Sequence, residues 1–151
     1  MTTPPSSGED ATVGGFDRRP WSSIPVGQVM RRHLLTCHTD TTMRELARIM
    51  VTHSVHAVVV VDGDTGGELS VTGIVTALEL ALAAVEGAEP TAGELANPHA
   101  PTVTVGATLD EAAREILRTG GAHVIVTDER GAPMGMLSTL DLARVTAWGH
   151  V

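Results

Sequence analysis

The sequence has no lysine and no tyrosine, and its 151 residues include only one cysteine, one phenylalanine and two tryptophans. The absence of lysine excludes enzymes that use a P-loop lysine or a Schiff-base lysine. Because Cys37 is the only cysteine, no disulfide can form within the chain, which favours a reducing cytoplasm. With so few aromatic residues, the core must be mainly aliphatic.

The chain also lacks basic charge and long apolar runs. Its net charge of −8 and scarcity of aromatic rings argue against a nucleic-acid partner. No apolar run reaches the roughly 18 residues that a membrane span requires. The first residues have neither a basic start nor an apolar stretch, so they do not form a secretory signal. Their proline, serine, glycine and acidic content predicts a disordered tail over residues 1–20.

An internal repeat organises the rest of the chain. Shifted by 66 residues, the stretch 27–62 aligns with 93–128 without a gap. The first copy then has four extra residues in a turn, the shift becomes 62, and GIVTALEL (residues 73–80) aligns with GMLSTLDL (residues 135–142). A long period repeated twice indicates two copies of one supersecondary unit, each too small to bury its own apolar face.

The two copies predict a mixed α/β fold with one element order. Each contains a T-x-x-E capping box before apolar residues at helical spacing, which predicts a capped helix. A nearly unbroken apolar run follows, HAVVVVD or AHVIVTD, and is typical of a strand buried on both faces. A glycine-bearing turn, a second strand and a closing helix complete the order β-α-β-β-α. We place the first repeat at residues 21–87 and the second at 88–151.

These features together resemble the paired CBS domain, or Bateman module. The resemblance rests on VGQVM, the capped helix, VVVVD and the phrase G-h-h-[ST]-x-x-[DE], and it extends from Val26 to the end of the chain. It implies two βαββα repeats packed about a pseudo-twofold axis with clefts between them. It also implies a disc-shaped dimer that binds ligands without catalysis.

The repeated phrase carries the candidate site. Ser138 should cap the closing helix, which leaves first-turn amides free for an anion. Asp141 then lies on the first turn, where its carboxylate could accept hydrogen bonds from a ribose diol. The alternative is a simple capping box for both copies. Since aspartate is shorter than the usual glutamate and caps less naturally, we assign Asp141 to ligand binding and Glu79, with Thr76, to capping. The two clefts should therefore differ.

The resemblance implies further ligand contacts, because each CBS cleft takes residues from both repeats. The acid comes from one copy and the stretch at the first strand from the other. The residues implied at the Asp141 cleft are Ser138, Thr139, Leu35, Thr36 and Cys37. Those implied near Glu79 are Thr76, Pro101, Thr102 and Val103, while His56 and His123 enter from the second strands. Because neutral histidine provides little charge, we favour a monophosphate or an uncharged adenosyl ligand over a di- or triphosphate. The candidates are AMP, ADP, ATP and S-adenosylmethionine.

Other motifs predict less. His38, His53 and His56 lack the spacing of a zinc site, so we expect no metal. Cys37 should pack as a small apolar residue. No nucleophile and base stand in a recognisable arrangement, so we expect no enzyme.

The closing helices, ALELALAAV and LDLARVTAW, are too apolar for free surfaces and predict a homodimer that partly shields Trp148. The leading hypothesis is a cytoplasmic sensor of an adenosine nucleotide. The alternative is a ligand-free interaction or stress protein that acts through a protein partner.

Overall fold

The computed structural model describes residues 19–63 and 69–149. Residues 1–18 of the predicted tail and residues 64–68 of the turn with the extra residues lie outside the described residues. The first repeat contains β1 (Thr36–His38), α1 (Met43–His53), β2 (Ala57–Asp62), β3 (Ser70–Thr76) and α2 (Ala77–Glu86). A short helix, α3 (Ala92–Leu95), follows. The second repeat contains β4 (Thr102–Thr104), α4 (Leu109–Thr119), β5 (His123–Thr127), β6 (Pro133–Ser138) and α5 (Thr139–Trp148).

This order confirms the mixed α/β fold with two βαββα repeats. Each repeat forms its own three-stranded sheet, in the order β1-β2-β3 or β4-β5-β6. The first pair of strands in each sheet is parallel and the second pair antiparallel. Residues 57–61 of β2 are all buried, as the unbroken apolar run predicts for a strand covered on both faces. The capping box of Thr42 and Glu45 at the start of α1 is also confirmed.

Reciprocal contacts show the pseudo-twofold relation between the repeats. Pro25, in the segment that leads into β1 of the first repeat, bridges Thr108 in the second repeat. Thr91, which is 66 residues after Pro25, bridges Thr42, which is 66 residues before Thr108. Each repeat is therefore joined to the segment that leads into the other. Such reciprocity is what a twofold axis between two equivalent units requires.

The three apolar clusters reflect these contacts, in which each repeat packs against the segment that leads into the other. The leading residues Ile24, Val26 and Met30 complete the core of the second repeat. Ala92 and Ala96, from α3 and the residue that follows it, join the core of the first repeat. The third cluster lies between the sheets and takes residues from both repeats: Ala57, Val59, Val61, Ile74 and Ile125.

The glycine of the repeated phrase marks a close approach between the repeats. A Cβ atom at Gly135 would lie 2.5 Å from the carbonyl oxygen of Arg31. A Cβ atom at Gly73, the equivalent position, would collide with the carbonyl oxygen of Asn97. The sequence predicted that backbone or ligand passes close to this glycine. The structure shows that the backbone of the other repeat's leading segment does so.

We expect Gly135→Ala to lower the free energy of unfolding by roughly 1–3 kcal/mol, because the new methyl group meets a backbone oxygen that cannot rotate away. Thermal or denaturant unfolding measures the change. Gly106→Ala is the matched control, since a Cβ atom there meets nothing within 4 Å. Equal stability of the two variants would contradict the close backbone contact.

Candidate functional site

The closing helix α5 begins with a complete capping box. Asp141 Oδ2 accepts hydrogen bonds from the Ser138 amide at 2.8 Å and from the Ser138 hydroxyl at 2.9 Å. The Asp141 amide donates in return to Ser138 Oγ at 3.3 Å. The expectation that aspartate caps this box poorly is therefore wrong. The extended backbone of Ser138 brings its amide within reach of the shorter side chain.

The other carboxylate oxygen of Asp141 holds two arginines. Oδ1 accepts from Arg144 Nη1 at 3.1 Å and from Arg31 Nε at 3.3 Å. The Asp141 side chain is 5% exposed, whereas those of Arg31 and Arg144 are 53% and 47% exposed. A buried carboxylate needs such partners because its desolvation is otherwise costly. Both oxygens of Asp141 are thus occupied within the protein.

A cleft of about 620 Å³ opens beside this carboxylate between the two repeats. Six of the predicted site residues line it: Leu35, His56, His123, Ser138, Thr139 and Asp141. The cleft also has an apolar wall that includes Leu34, Val55 and Met136. The volume falls within the roughly 300–1,000 Å³ range of small-molecule sites. The lining therefore offers both polar and apolar contacts to a small molecule.

Thr36 and Cys37 do not line this cleft. Both lie within β1, where successive side chains point to opposite faces. Cys37 is buried in the core of the first repeat, and Thr36 is exposed. Burial raises the pKa of the Cys37 thiol, which suits apolar packing rather than reactivity. Only Leu35, the residue before the strand, reaches the cleft.

The predicted residues near Glu79 also lie outside this cleft. The Thr76 amide donates to Glu79 Oε2 at 2.7 Å, which confirms the predicted capping box at the start of α2. Thr102 lines a separate cavity of about 450 Å³ beside Val71 and Arg130. Neither Thr76 nor Glu79 lines that cavity. The structure therefore does not group Thr102 with the Thr76–Glu79 box.

The expected anion site at the start of α5 is partly occupied. The Thr139 amide donates to the Ala122 carbonyl at 2.9 Å, and the Asp141 amide donates to Ser138 Oγ. The sequence had predicted free amides in this first turn, but these two amides already have partners. The sequence cannot reveal the Ala122 contact, because it depends on how β5 enters beside the helix.

Arg31 and Arg144 also line the cleft and contact Asp141, and neither was predicted from the sequence. Arg144 could have been found, because an acid and an arginine three residues apart share one helix face. Arg31 offers no local signal, since it lies 110 residues from Asp141. The positions that the repeat shifts of 66 and 62 make equivalent are Asn97 and Leu82. This difference in charge supports the expectation of unequal clefts.

His123 enters the cleft from the start of β5 and is half-buried. Burial lowers its pKa below 6.5, and the neighbouring His56 lowers it further, whereas the Asp141 carboxylate opposes the shift. His123 is therefore mainly neutral at pH 7. It offers one donor and one acceptor rather than a full charge.

The model of the CBS domain family matches this chain twice, over residues 26–86 and 92–147. The chain belongs to the CBS-domain family. Its two matches correspond to the two structural repeats and make it a tandem CBS pair, as the repeated phrase predicted. No curated protein sequence matches this CBS pair.

Solved CBS structures share the fold at low sequence identity. An uncharacterised conserved protein from Pyrococcus horikoshii is 22% identical with a TM-score of 0.73, and the match covers 83% of this chain and 93% of that one. The CBS domain pair of protein MJ0100, in complex with 5′-methylthioadenosine and S-adenosyl-L-methionine, is 22% identical with a TM-score of 0.73, covering 82% and 95%. The CBS domain protein PAE2072 from Pyrobaculum aerophilum, complexed with AMP, is 23% identical with a TM-score of 0.71, covering 79% and 90%.

Two further features concern only the described residues, 19–63 and 69–149. They contain no group of three or more histidine, cysteine, aspartate or glutamate side chains placed to hold a metal ion. Within the same ranges, every helix is too short or too polar to cross a membrane.

We expect Asp141→Ala to destabilise the unliganded protein by roughly 1–3 kcal/mol, because a buried acceptor with several donors is lost. Glu79→Ala removes a cap without arginine partners and should cost roughly 0.5–2 kcal/mol. Denaturant unfolding of both variants compares the two boxes. If Asp141→Ala is no more destabilising than Glu79→Ala, the two arginines contribute nothing to stability.

His123 should make the protein less stable in acid. Its folded-state pKa lies below its unfolded value, so the unfolded chain binds more protons as the pH falls through 6.5. Stability is then lost down to the folded-state pKa. In His123→Gln the decline of melting temperature over this window should be shallower, whereas His53→Gln, at the end of α1, serves as the control. An unchanged slope in His123→Gln would contradict the effect of burial.

Proposed function

We propose that this CBS pair binds an adenosine nucleotide in the cleft beside Asp141. It then acts as a stand-alone regulatory or sensor protein in the cytoplasm, through binding rather than catalysis. The observation that carries the proposal is the cleft itself, which joins a buried carboxylate at a helix start to an apolar wall. A nucleoside has the matching parts, a polar ribose and an apolar base face.

The proposed pose follows from the lining residues. The ribose diol lies at Asp141 Oδ1, the oxygen that takes no part in the capping box. The base lies against the apolar wall of Leu34, Val55 and Met136. The adenosine ligands of the MJ0100 and PAE2072 proteins support this ligand class. We infer adenosine binding by this chain from that likeness together with the cleft.

A homodimer is the second part of the proposal. Large apolar side chains are exposed along the closing helices α2 and α5. They are Leu78, Leu82, Val85, Leu140 and Trp148. Trp148 is 63% exposed in the single chain, so a second chain has room to cover it. Apolar surfaces of this kind mark interfaces, and a second copy would cover equivalent helices at once.

One observation favours the alternative of a ligand-free interaction protein. Both oxygens of Asp141 already have partners within the chain, so an empty cleft leaves no unpaired buried charge. In that case the exposed apolar helices would serve a protein partner. A test of whether adenosine compounds bind to the protein separates the two functions.

We expect AMP, ADP, ATP or S-adenosylmethionine to raise the melting temperature of the wild-type protein. A ligand at a hundred times its Kd adds about 2.7 kcal/mol of stability. In Asp141→Ala this shift should fall or vanish, since a hydrogen bond to a charged acceptor contributes roughly 1.5–3 kcal/mol. Glu79→Ala, the matched control, should retain the shift. No shift with any of the four compounds would favour the ligand-free function.

We expect Leu82→Glu to convert the dimer into a monomer, because it places a charge in the proposed apolar interface. Light scattering at micromolar protein measures the mass. Met134→Glu, at an exposed position on β6, is the control and should leave the dimer intact. A monomeric wild-type protein would contradict the interface.

A further inference from the structure

The arginine pair at Asp141 has a consequence for the class of ligand. Oδ2 holds the start of α5 through two hydrogen bonds from Ser138. Oδ1 holds Arg31 and Arg144. A ribose hydroxyl can therefore reach Oδ1 only if at least one arginine leaves it. Ligand binding at this carboxylate is an exchange rather than a simple addition.

We propose that the exchange makes this cleft selective for phosphorylated nucleotides over uncharged or cationic adenosyl compounds. The inference rests on the proposed function. The ribose takes Oδ1 from the arginines, and the released guanidinium groups take the phosphate. Arginine suits this role because its planar group binds phosphate oxygens in pairs. An uncharged ligand would displace the same arginines and offer them no new anion.

The geometry allows the side chains to move while the backbone stays in place. The Arg31 amide donates to the Met136 carbonyl at 2.9 Å, and the Met136 amide donates to the Arg31 carbonyl at 3.1 Å. Arg144 is held by its place on α5. Both arginine side chains are about half exposed and line the cleft. Each guanidinium group can thus turn from Oδ1 towards a ligand without any change in the fold.

The charge of the cleft agrees with an anionic ligand. Asp141 is the only carboxylate among the described residues that line it. The lining side chains that carry positive charge are Arg31 and Arg144. The protein as a whole carries a net charge of −8, so this local excess of positive groups is opposite in sign to the rest of the chain. S-adenosylmethionine carries a sulfonium, an ammonium and one carboxylate, so its net positive charge is repelled by both arginines, whereas the phosphate of AMP is attracted.

Calorimetric titration of the full-length protein with AMP, adenosine and S-adenosylmethionine tests the exchange. We expect the wild-type protein to bind AMP about tenfold or more tightly than either other compound, since charge-assisted bonds to phosphate are lost in both. Arg144→Gln and Arg31→Gln should each weaken AMP binding. The same variants should leave adenosine binding unchanged or strengthen it, because Oδ1 is then less occupied. Arg114→Gln, an exposed arginine on α4 paired with Asp110, is the control.

The outcomes separate the two proposals. If S-adenosylmethionine or adenosine binds as tightly as AMP, the exchange is refuted while adenosine binding stands. If AMP, adenosine and S-adenosylmethionine all fail to bind, both proposals are refuted. If the arginine variants do not fold, the salt dependence of ligand binding to the wild-type protein tests the exchange instead. Added salt should weaken AMP binding more than adenosine binding, and an equal effect on both would overturn the exchange.

Discussion

The close contact between each repeat and the segment that leads into the other is the constraint on which this structure depends. Ile24 and Val26 precede β1 of the first repeat yet are buried in the core of the second. Ala92 precedes β4 of the second repeat and is buried in the core of the first. Neither apolar core is complete without the other half of the chain. The cleft exists because this exchange holds the two repeats side by side.

The same contact between each repeat and the other's leading segment brings Arg31 to Asp141. The backbone of Arg31 pairs with Met136 on β6, the strand that leads directly into Ser138 and α5. A buried carboxylate on one repeat thereby obtains a cationic partner from the segment that leads into the other. Asp141 consequently serves two ends. Oδ2 caps the start of α5. Oδ1 faces the cleft, where another donor can replace an arginine.

Much of the fold could be predicted because its signals are local. The capping boxes, the buried β2 run and the repeated phrase each depend on residues a few positions apart, and each appears as expected. Part of the site was also predictable, since Ser138 and Asp141 lie on one turn. The rest was not. Thr36 and Cys37 lie outside the cleft because strand alternation directs Cys37 into the core, which a resemblance alone did not reveal.

The repeat, the order of elements and the position of the acid at the start of α5 can all be predicted from the amino-acid sequence. These features follow from periodicity and from hydrogen bonds within one helical turn. The surroundings of that acid depend on how distant segments pack. Arg31 lies 110 residues away and contacts it because the segment before β1 packs against the second repeat, and the Thr139 amide donates to the carbonyl of Ala122, which precedes β5. Contacts between distant segments depend on packing, and packing leaves no periodic trace in the sequence.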